Sequence, residues 1–265
     1  MKIITKPMTE DQIRPCLKTK RFGQTIYTFD TIDSTNAYAK SLISRGCSEG
    51  TLVIAEEQSQ GRGRAGRSWF SEKGNNLTFS IILKPKIRPD SIGIISLYAS
   101  LAVAQSIEKI THLIPECKWP NDVLLSGKKV CGILSEGVFD GGQLSYTIMG
   151  IGMNVNQTVF PDEIKTTATS LSLCAGINYD RLQVLAVVIE QLEILYEKIL
   201  LRQLGEILVS WKKYCNFFGK KIMVDQRGTA VSGTAITIGD DGGLILQVDG
   251  IEKKILAGDI TILNL

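Results

Sequence analysis

The chain has 265 residues, 44% of them hydrophobic, with 30 Lys and Arg against 27 Asp and Glu and a net charge of +3. That length and composition can bury a sizeable core and suit one large domain with a small companion, whereas so mild a charge excludes a nucleic-acid binder acting by charge alone. Six cysteines, at 16, 47, 117, 131, 174 and 215, form no C-x-x-C and no short pairing, which excludes a disulfide scaffold or zinc site and reads as a reduced, cytoplasmic protein.

Residues 1–24 are polar and punctuated by proline, with one short helical possibility after Thr9. Residues 25–30 read as a strand. Asp33, Ser34 and Thr35 offer N-cap side chains to a helix over 36–43, and Gly46 suits its exit. Residues 51–56 form a second strand. Over 76–83, Leu77, Phe79, Ile81 and Leu83 alternate on one side, a period-two strand. Residues 94–110 place Leu97, Leu101, Ala104 and Ile107 at helical spacing, a core helix, and no apolar run reads as long enough to span a membrane. The single histidine, His112, falls at the end of that helix without a partner motif, which removes most Ser-His-Asp, Cys-His and zinc chemistry. Residues 128–138 and 144–154 read as a strand pair about Asp140-Gly141-Gly142. Asp180, with Gln183 completing a capping box, opens a helix that lines up Leu182, Leu185, Ile189, Leu192, Tyr196 and Ile199, and a further short helix covers 206–216. After Phe218-Gly219 only short β-like runs remain, at 222–224, 231–238, 244–248, 254–256 and 260–263, which suggests a small barrel.

Between the second and third strands lies Gly61-Arg62-Gly63-Arg64-Ala65-Gly66-Arg67-Ser68-Trp69-Phe70-Ser71. Glycine lets the backbone take positive φ and turn N–H groups onto a ligand, and arginine adds planar forks that match phosphate and carboxylate oxygens. Such a loop can hold an anion and close over it. It is neither a Walker A loop nor a Gly-x-Gly-x-x-Gly turn opening a helix. Taken alone, a solvated basic loop is an equal reading.

Together with four other segments, in order, this loop resembles the biotin protein ligases. The others are Asp33-Ser34-Thr35-Asn36, Lys118-Trp119-Pro120-Asn121-Asp122, Lys129-Val130-Cys131-Gly132-Ile133-Leu134 and Gly150-Ile151-Gly152-Met153-Asn154-Val155-Asn156. The resemblance spans about residues 27–265. It implies an α+β fold: a leader over 1–24, a class II aminoacyl-tRNA synthetase-like mixed-sheet catalytic domain over 25–218, and an SH3-like β-barrel over 219–265. It also implies an ATP-dependent ligase that activates biotin as biotinyl-5'-AMP. The acyl group then passes to a lysine of the biotin carboxyl carrier domain of acetyl-CoA carboxylase or a related carboxylase. The implied co-substrate is Mg-ATP, with no tightly bound prosthetic group, no membrane, and a homodimer as one possible assembly. Adenylation demands positioning and charge neutralisation more than a nucleophile, which suits motifs rich in Arg and Lys.

The same resemblance assigns the site. Ser34, Thr35 and Asn36 would hydrogen-bond the ureido ring of biotin, with Gln58 opposite, although the residues alone read Ser34 and Thr35 as helix caps. Arg62, Gly63 and Arg64 would fold over biotin and nucleotide, Arg62 nearest the phosphate, while Arg67 reads as a solvated rim charge. Lys118 would neutralise polyphosphate, Asn121 and Asn154 (with Asn156) would line the ATP pocket, and Asp122 would face magnesium. Lys129 would bind the biotin carboxylate and then stabilise departing AMP, and Gly132 would admit biotin's apolar chain. Lys129, Arg62 and Lys118 are thus the catalytic candidates.

The chain departs from the family pattern in two places. Fewer than 30 residues precede the ligase-like strand, where many bacterial relatives carry a winged-helix domain, and 17–23 resembles the linker that would follow one. Specific DNA binding is therefore not expected. The end, Ile262-Leu263-Asn264-Leu265, lacks a basic residue that reaches ATP in some relatives. A lipoate or octanoate ligase shares the fold and the acyl-lysine product, but the Gly/Arg loop favours biotin. A biotin-sensing repressor is disfavoured by the short front and the mild charge.

Overall fold

The structure, a computed structural model, describes residues 7–226 and 228–263, so Asn264 and Leu265 lie outside the described residues. After a short leader helix, α1 (Glu10–Ile13), seven strands form one sheet: β1 (Ile26–Ile32), β2 (Leu52–Gln58), β3 (Leu77–Leu83), β4 (Glu116–Lys118), β5 (Asp122–Leu125), β6 (Lys128–Asp140) and β7 (Gln143–Met153). Their order is β1-β2-β3-β7-β6-β5-β4. Only β1 and β2 are parallel, joined through α2 (Thr35–Ile43); the other pairs are antiparallel. α2 lies on one face, over a small cluster of Ala39, Leu42, Val53, Ile82 and Ile148. α3 (Gly93–Thr111), α5 (Arg181–Leu200) and α6 (Leu204–Lys212) cover the other, and the short α4 (Leu171–Ala175) precedes α5.

Two expectations are corrected. Leu77, Phe79, Ile81 and Leu83 do share a face of β3, but every residue of that strand is buried, because α2 covers the opposite face and encloses Ser80. Lys118 ends β4 and Asp122 begins β5, with residues 119–121 the turn between them, and the Trp119–Pro120 bond is cis. α3, counted from Pro89 to Thr111, is long and apolar enough to cross a membrane, yet it is mostly buried as the central core helix. It ends as read, with His112 left-handed at φ 58 and its N–H on the Glu108 carbonyl.

The C-terminal strands β8 (Lys221–Gln226), β9 (Thr229–Ile238), β10 (Leu244–Val248), β11 (Ile251–Ile255) and β12 (Asp259–Ile262) form a second, wholly antiparallel sheet ordered β11-β10-β9-β8-β12. This is the small barrel-like unit expected. Its Ile222, Val224, Leu244 and Leu246 join the same apolar cluster as Ile94, Trp119 and Trp211 of the large body, so the two sheets close one core. The β9–β10 turn seats Gly242 on the first turn of α3. A Cβ on Gly242 would come within 2.9 Å of the Gly93 carbonyl carbon, and the indole Nε1 of Trp119 donates to the Gly242 carbonyl at 2.9 Å. The leader is strapped to the large body by carboxylates. Glu193 of α5 accepts the backbone N–H groups of Lys20, Arg21 and Phe22, each at 2.7 Å, while Met8 N–H donates to Glu56, itself buried against Arg181.

Candidate active site

On the α2 face of the sheet, glycines make a flat floor. Gly132 of β6 pairs directly with Gly152 of β7, and Leu134 pairs with Gly150. A Cβ on Gly152 would meet the Trp69 indole at 2.3 Å, one on Gly132 would meet it at 2.9 Å, and one on Gly150 would meet the Asn36 amide at 2.3 Å. The glycines are thus needed for close approach: Trp69 lies on two of them and Asn36 on the third. Above this floor is a cavity of about 540 Å³, within the range of small-molecule sites.

Thirteen of the residues singled out from the sequence line this one cavity: Ser34, Thr35, Asn36, Gln58, Arg62, Gly63, Arg64, Lys118, Asn121, Asp122, Lys129, Gly132 and Asn154. Asn156 does not; its amide grips the backbone of Tyr179 in both directions, at 2.8 and 2.9 Å. One end of the cavity is polar but largely uncharged. Ser34 caps α2 by accepting from Ala37 N–H, as the sequence alone suggested. Thr35 donates from backbone and hydroxyl to Gln58 Oε1 at 2.7 and 3.0 Å, Ser80 Oγ reaches Thr35 and Asn36 at 2.8 and 2.6 Å, and the Asn36 amide donates to Glu136 at 2.6 Å. Each amide and hydroxyl orientation is fixed by the next member of that chain.

The other end is cationic. Lys129 Nζ lies 2.7 Å from Asp122 Oδ1 and 5.5 Å from the Trp69 ring centroid, a cation–π distance. Although close, the Asp122 contact lacks the alignment of a hydrogen bond, and that buried oxygen has no other partner. Lys118 stands opposite Asp122 across the β4–β5 pair. Arg64 donates to Asn121 Oδ1 at 3.0 Å, and Asn121 in turn bridges to the Ile133 carbonyl. Trp69 Nε1 and Asn154 Oδ1 are also buried without protein partners at the cavity wall. Two such orphans on one cavity, beside a carboxylate oxygen held only by an ion pair, are the mark of a polar ligand site, since buried polar groups are otherwise paired. The nearby thiols are not nucleophiles: burial pushes Cys117 up to about 12 and Cys131 higher still.

The Gly/Arg segment is a folded hairpin. Arg62 bridges to Ser68, Gly63 N–H donates to the Arg67 carbonyl at 2.7 Å, and Trp69 N–H donates to the Gly61 carbonyl at 2.9 Å. Only Gly66 of its glycines has a left-handed φ, beside Ala65 at φ 55; Gly61 is required instead because a Cβ there would lie 2.6 Å from the Trp69 carbonyl oxygen. Arg67, read as a rim charge, is exposed but paired with Asp259. Several cavity residues escaped the sequence reading. Trp69 was visible in the loop but had no role. Phe160, Pro161, Ile164, Thr167 and Ala168 form an apolar wall in a stretch without periodicity, held beside Lys129 by paired backbone bonds to Thr167 and Thr169.

Residues 28–154 match the biotin/lipoate A/B protein ligase family. The chain is 37% identical over 98% of its length to the bifunctional ligase/repressor BirA of Bacillus subtilis, covering 81% of that protein. It is 30% identical to the biotin--[acetyl-CoA-carboxylase] ligase of Mycobacterium tuberculosis, covering 87% of each. Among solved structures, the biotin protein ligase of Aquifex aeolicus in complex with biotin and ATP superposes with a TM-score of 0.77 at 29% identity, over 91% of this chain and all of the other.

Proposed function

Because the chain belongs to the biotin protein ligases of the biotin/lipoate A/B family, we propose how its own residues divide the work of activating biotin with ATP and transferring it to protein. The supporting observation is the polarity of one cavity: uncharged hydrogen-bonding side chains, Ser34, Thr35, Asn36 and Gln58, at one end, and Lys129, Lys118, Arg64 and Asp122 at the other. Biotin has that same polarity, a neutral ureido ring and an anionic carboxylate. Ser34, Thr35, Asn36 and Gln58 take the ring, the Gly132–Gly152 floor takes the apolar chain, and Lys129 takes the carboxylate. The apolar wall and Asn154 take the adenine end of ATP; Arg62, Arg64, Lys118 and Asn121 take its phosphates.

The carboxylate oxygen attacks the α-phosphorus, the bond to the β-phosphate oxygen breaks, and pyrophosphate leaves. Lys129 neutralises the repulsion between carboxylate and phosphate during that attack. In the second step an acceptor lysine, as its free amine, attacks the acyl carbon, AMP leaves with its oxygen, and the amine gives up a proton. Lys129 then stabilises the leaving phosphate. The residues fit a magnesium ion that arrives on ATP better than a protein cage. Among the described residues no three acidic, His or Cys groups cluster, and Asp122 is one carboxylate with an otherwise unpartnered oxygen. Asp122 would hold such an ion, which would supply charge neutralisation for departing pyrophosphate.

The acceptor is a biotin carboxyl carrier domain of a carboxylase, the setting is the cytoplasm, and no specific DNA is bound. The division is a leader (1–24), a catalytic domain (25–218) and a small domain (219–265). ATP–pyrophosphate exchange that requires biotin and is not supported by lipoate is the expected result; exchange with lipoate alone would move the substrate to the rival class. A repressor reading has one kind of support, the ligase/repressor name that the Bacillus relative shares with other relatives. A biotin-dependent gel shift at physiological salt would favour it.

A further inference from the structure

Among the described residues, one ion pair ties the hairpin that carries the loop arginines to the small sheet. Arg67 Nη2 lies 3.0 Å from Asp259 Oδ2 and 3.1 Å from Oδ1, the one ion pair between them among the described residues. Around it runs an open groove of about 1140 Å³, with the loop on one bank and Asp225, Gln226, Ala257, Gly258 and Asp259 on the other. The pair therefore spans a gap that packing does not close. Asp259 is held there by its own sheet. It stands directly opposite Asp225 across the β8–β12 pair, and like charges so placed repel. Asp225 Oδ1 accepts the Gly228 N–H at 2.7 Å, while Asp259 faces Arg67. The preceding Gly258 has no room for a side chain, since a Cβ would meet Val224 at 2.4 Å. On the loop side, Arg67 is stitched to the hairpin: its backbone N–H and Nε both donate to the Arg64 carbonyl, and its own carbonyl accepts from Gly63. Holding Arg67 thus holds Arg64 and, two residues on, Trp69.

We propose that Asp259 is a positioning residue of the small sheet, which acts through Arg67 to keep the hairpin over the cavity and so sets how long the acyl-adenylate is retained. This rests on the cavity holding that adenylate, as proposed above. Both side chains are more than half exposed, at 59% and 51%, so the effect is modest, at most about 5-fold, and is screened by salt. An exposed ion pair of that size does little for folding. It matters here because the lid has only to stay shut between the two half-reactions.

The test is release of preformed biotinyl-AMP into excess unlabelled biotin, measured at low and high salt. Asp259→Asn should release it about 3- to 5-fold faster at low salt, Asp259→Glu should stay near wild type, and high salt should bring wild type up to the Asn rate. Affinity for biotin alone and the melting temperature should not move. Equal release rates at low salt, or a matching loss of biotin affinity and melting temperature, would overturn the proposal. Trypsin cleavage after the loop arginines, without ligand, should also be faster in Asp259→Asn. That second measurement keeps the latch testable by itself, so failure of the wild type to form any adenylate counts against the proposed function alone. Faster cleavage with unchanged release also refutes the proposal.

Discussion

Lys129 rests against Gly132, beneath Trp69 and beside Asp122, so its ammonium is aimed before any anion arrives. Removing one preorganised charge donor costs on the order of 100-fold in rate. Lys129→Ala should therefore lose about that much in single-turnover adenylate formation and again in transfer from preformed adenylate. Lys129→Arg keeps the charge but crowds Gly132, so it should recover only part. Lys128→Ala is the control, exposed one residue earlier, and should be near normal. Loss confined to adenylate formation would restrict Lys129 to activation. Gly152→Ala tests the floor: its Cβ would overlap the Trp69 indole at 2.3 Å, so the ring must lift. The expected outcome is a shift in tryptophan emission with weakened adenylate retention and a preserved fold; unchanged emission would show that Trp69 is not seated on that floor. The reach of the sequence at this scale follows from how each role arises. Lys129, Arg64 and Asn36 sit in compact motifs, so their meeting in one cavity was legible. Trp69 and Ser80 take their roles from residues far along the chain, across strands β6, β7 and helix α2, and no local pattern announces that.

Among the elements, the leader shows how carboxylates add to apolar packing, since Met8, Ile13 and Phe22 are also buried in the core. Residues 20–22 hand three backbone N–H groups to the single side chain of Glu193, an arrangement worth far more to the leader than a surface ion pair. Glu193→Ala should free residues 18–24 for limited proteolysis while leaving the cleavage of the 61–71 hairpin unchanged; protection equal to wild type would mean that Phe22 packing alone holds the leader. Long elements with clear periodicity, such as α3, α5 and the β6–β7 pair, were readable to within a few residues of their ends. β4 and β5 were not, because three and four residues are too few to show a period. The alternation in β3 was real, yet it concealed burial on both faces, since Thr78 and Ser80 are polar residues satisfied by side-chain partners.

At the level of the whole molecule, the contact between the two sheets carries a titratable group. Burial tends to raise the Asp241 carboxyl, but Lys254 at 2.8 Å and the Gly243 N–H outweigh it and hold the group below the ordinary aspartate value. A depressed folded value stabilises above the unfolded pKa and is lost as pH falls through the folded one. The melting-temperature advantage of wild type over Asp241→Asn should therefore be constant at neutral pH and shrink only below about pH 4; an advantage independent of pH would show that the carboxylate charge is not what counts. The Gly93–Gly242 contact beside that carboxylate also bears on recombination. A small sheet grafted from a relative is exchangeable only if it brings a residue without a side chain to the place of Gly242. Any other residue props the graft away from α3 and pulls on the indole of Trp119, whose neighbours Lys118 and Asn121 line the cavity. Chimaeras would then fail in chemistry although no exchanged residue lines that cavity, and such a library would sort by one position rather than by overall identity.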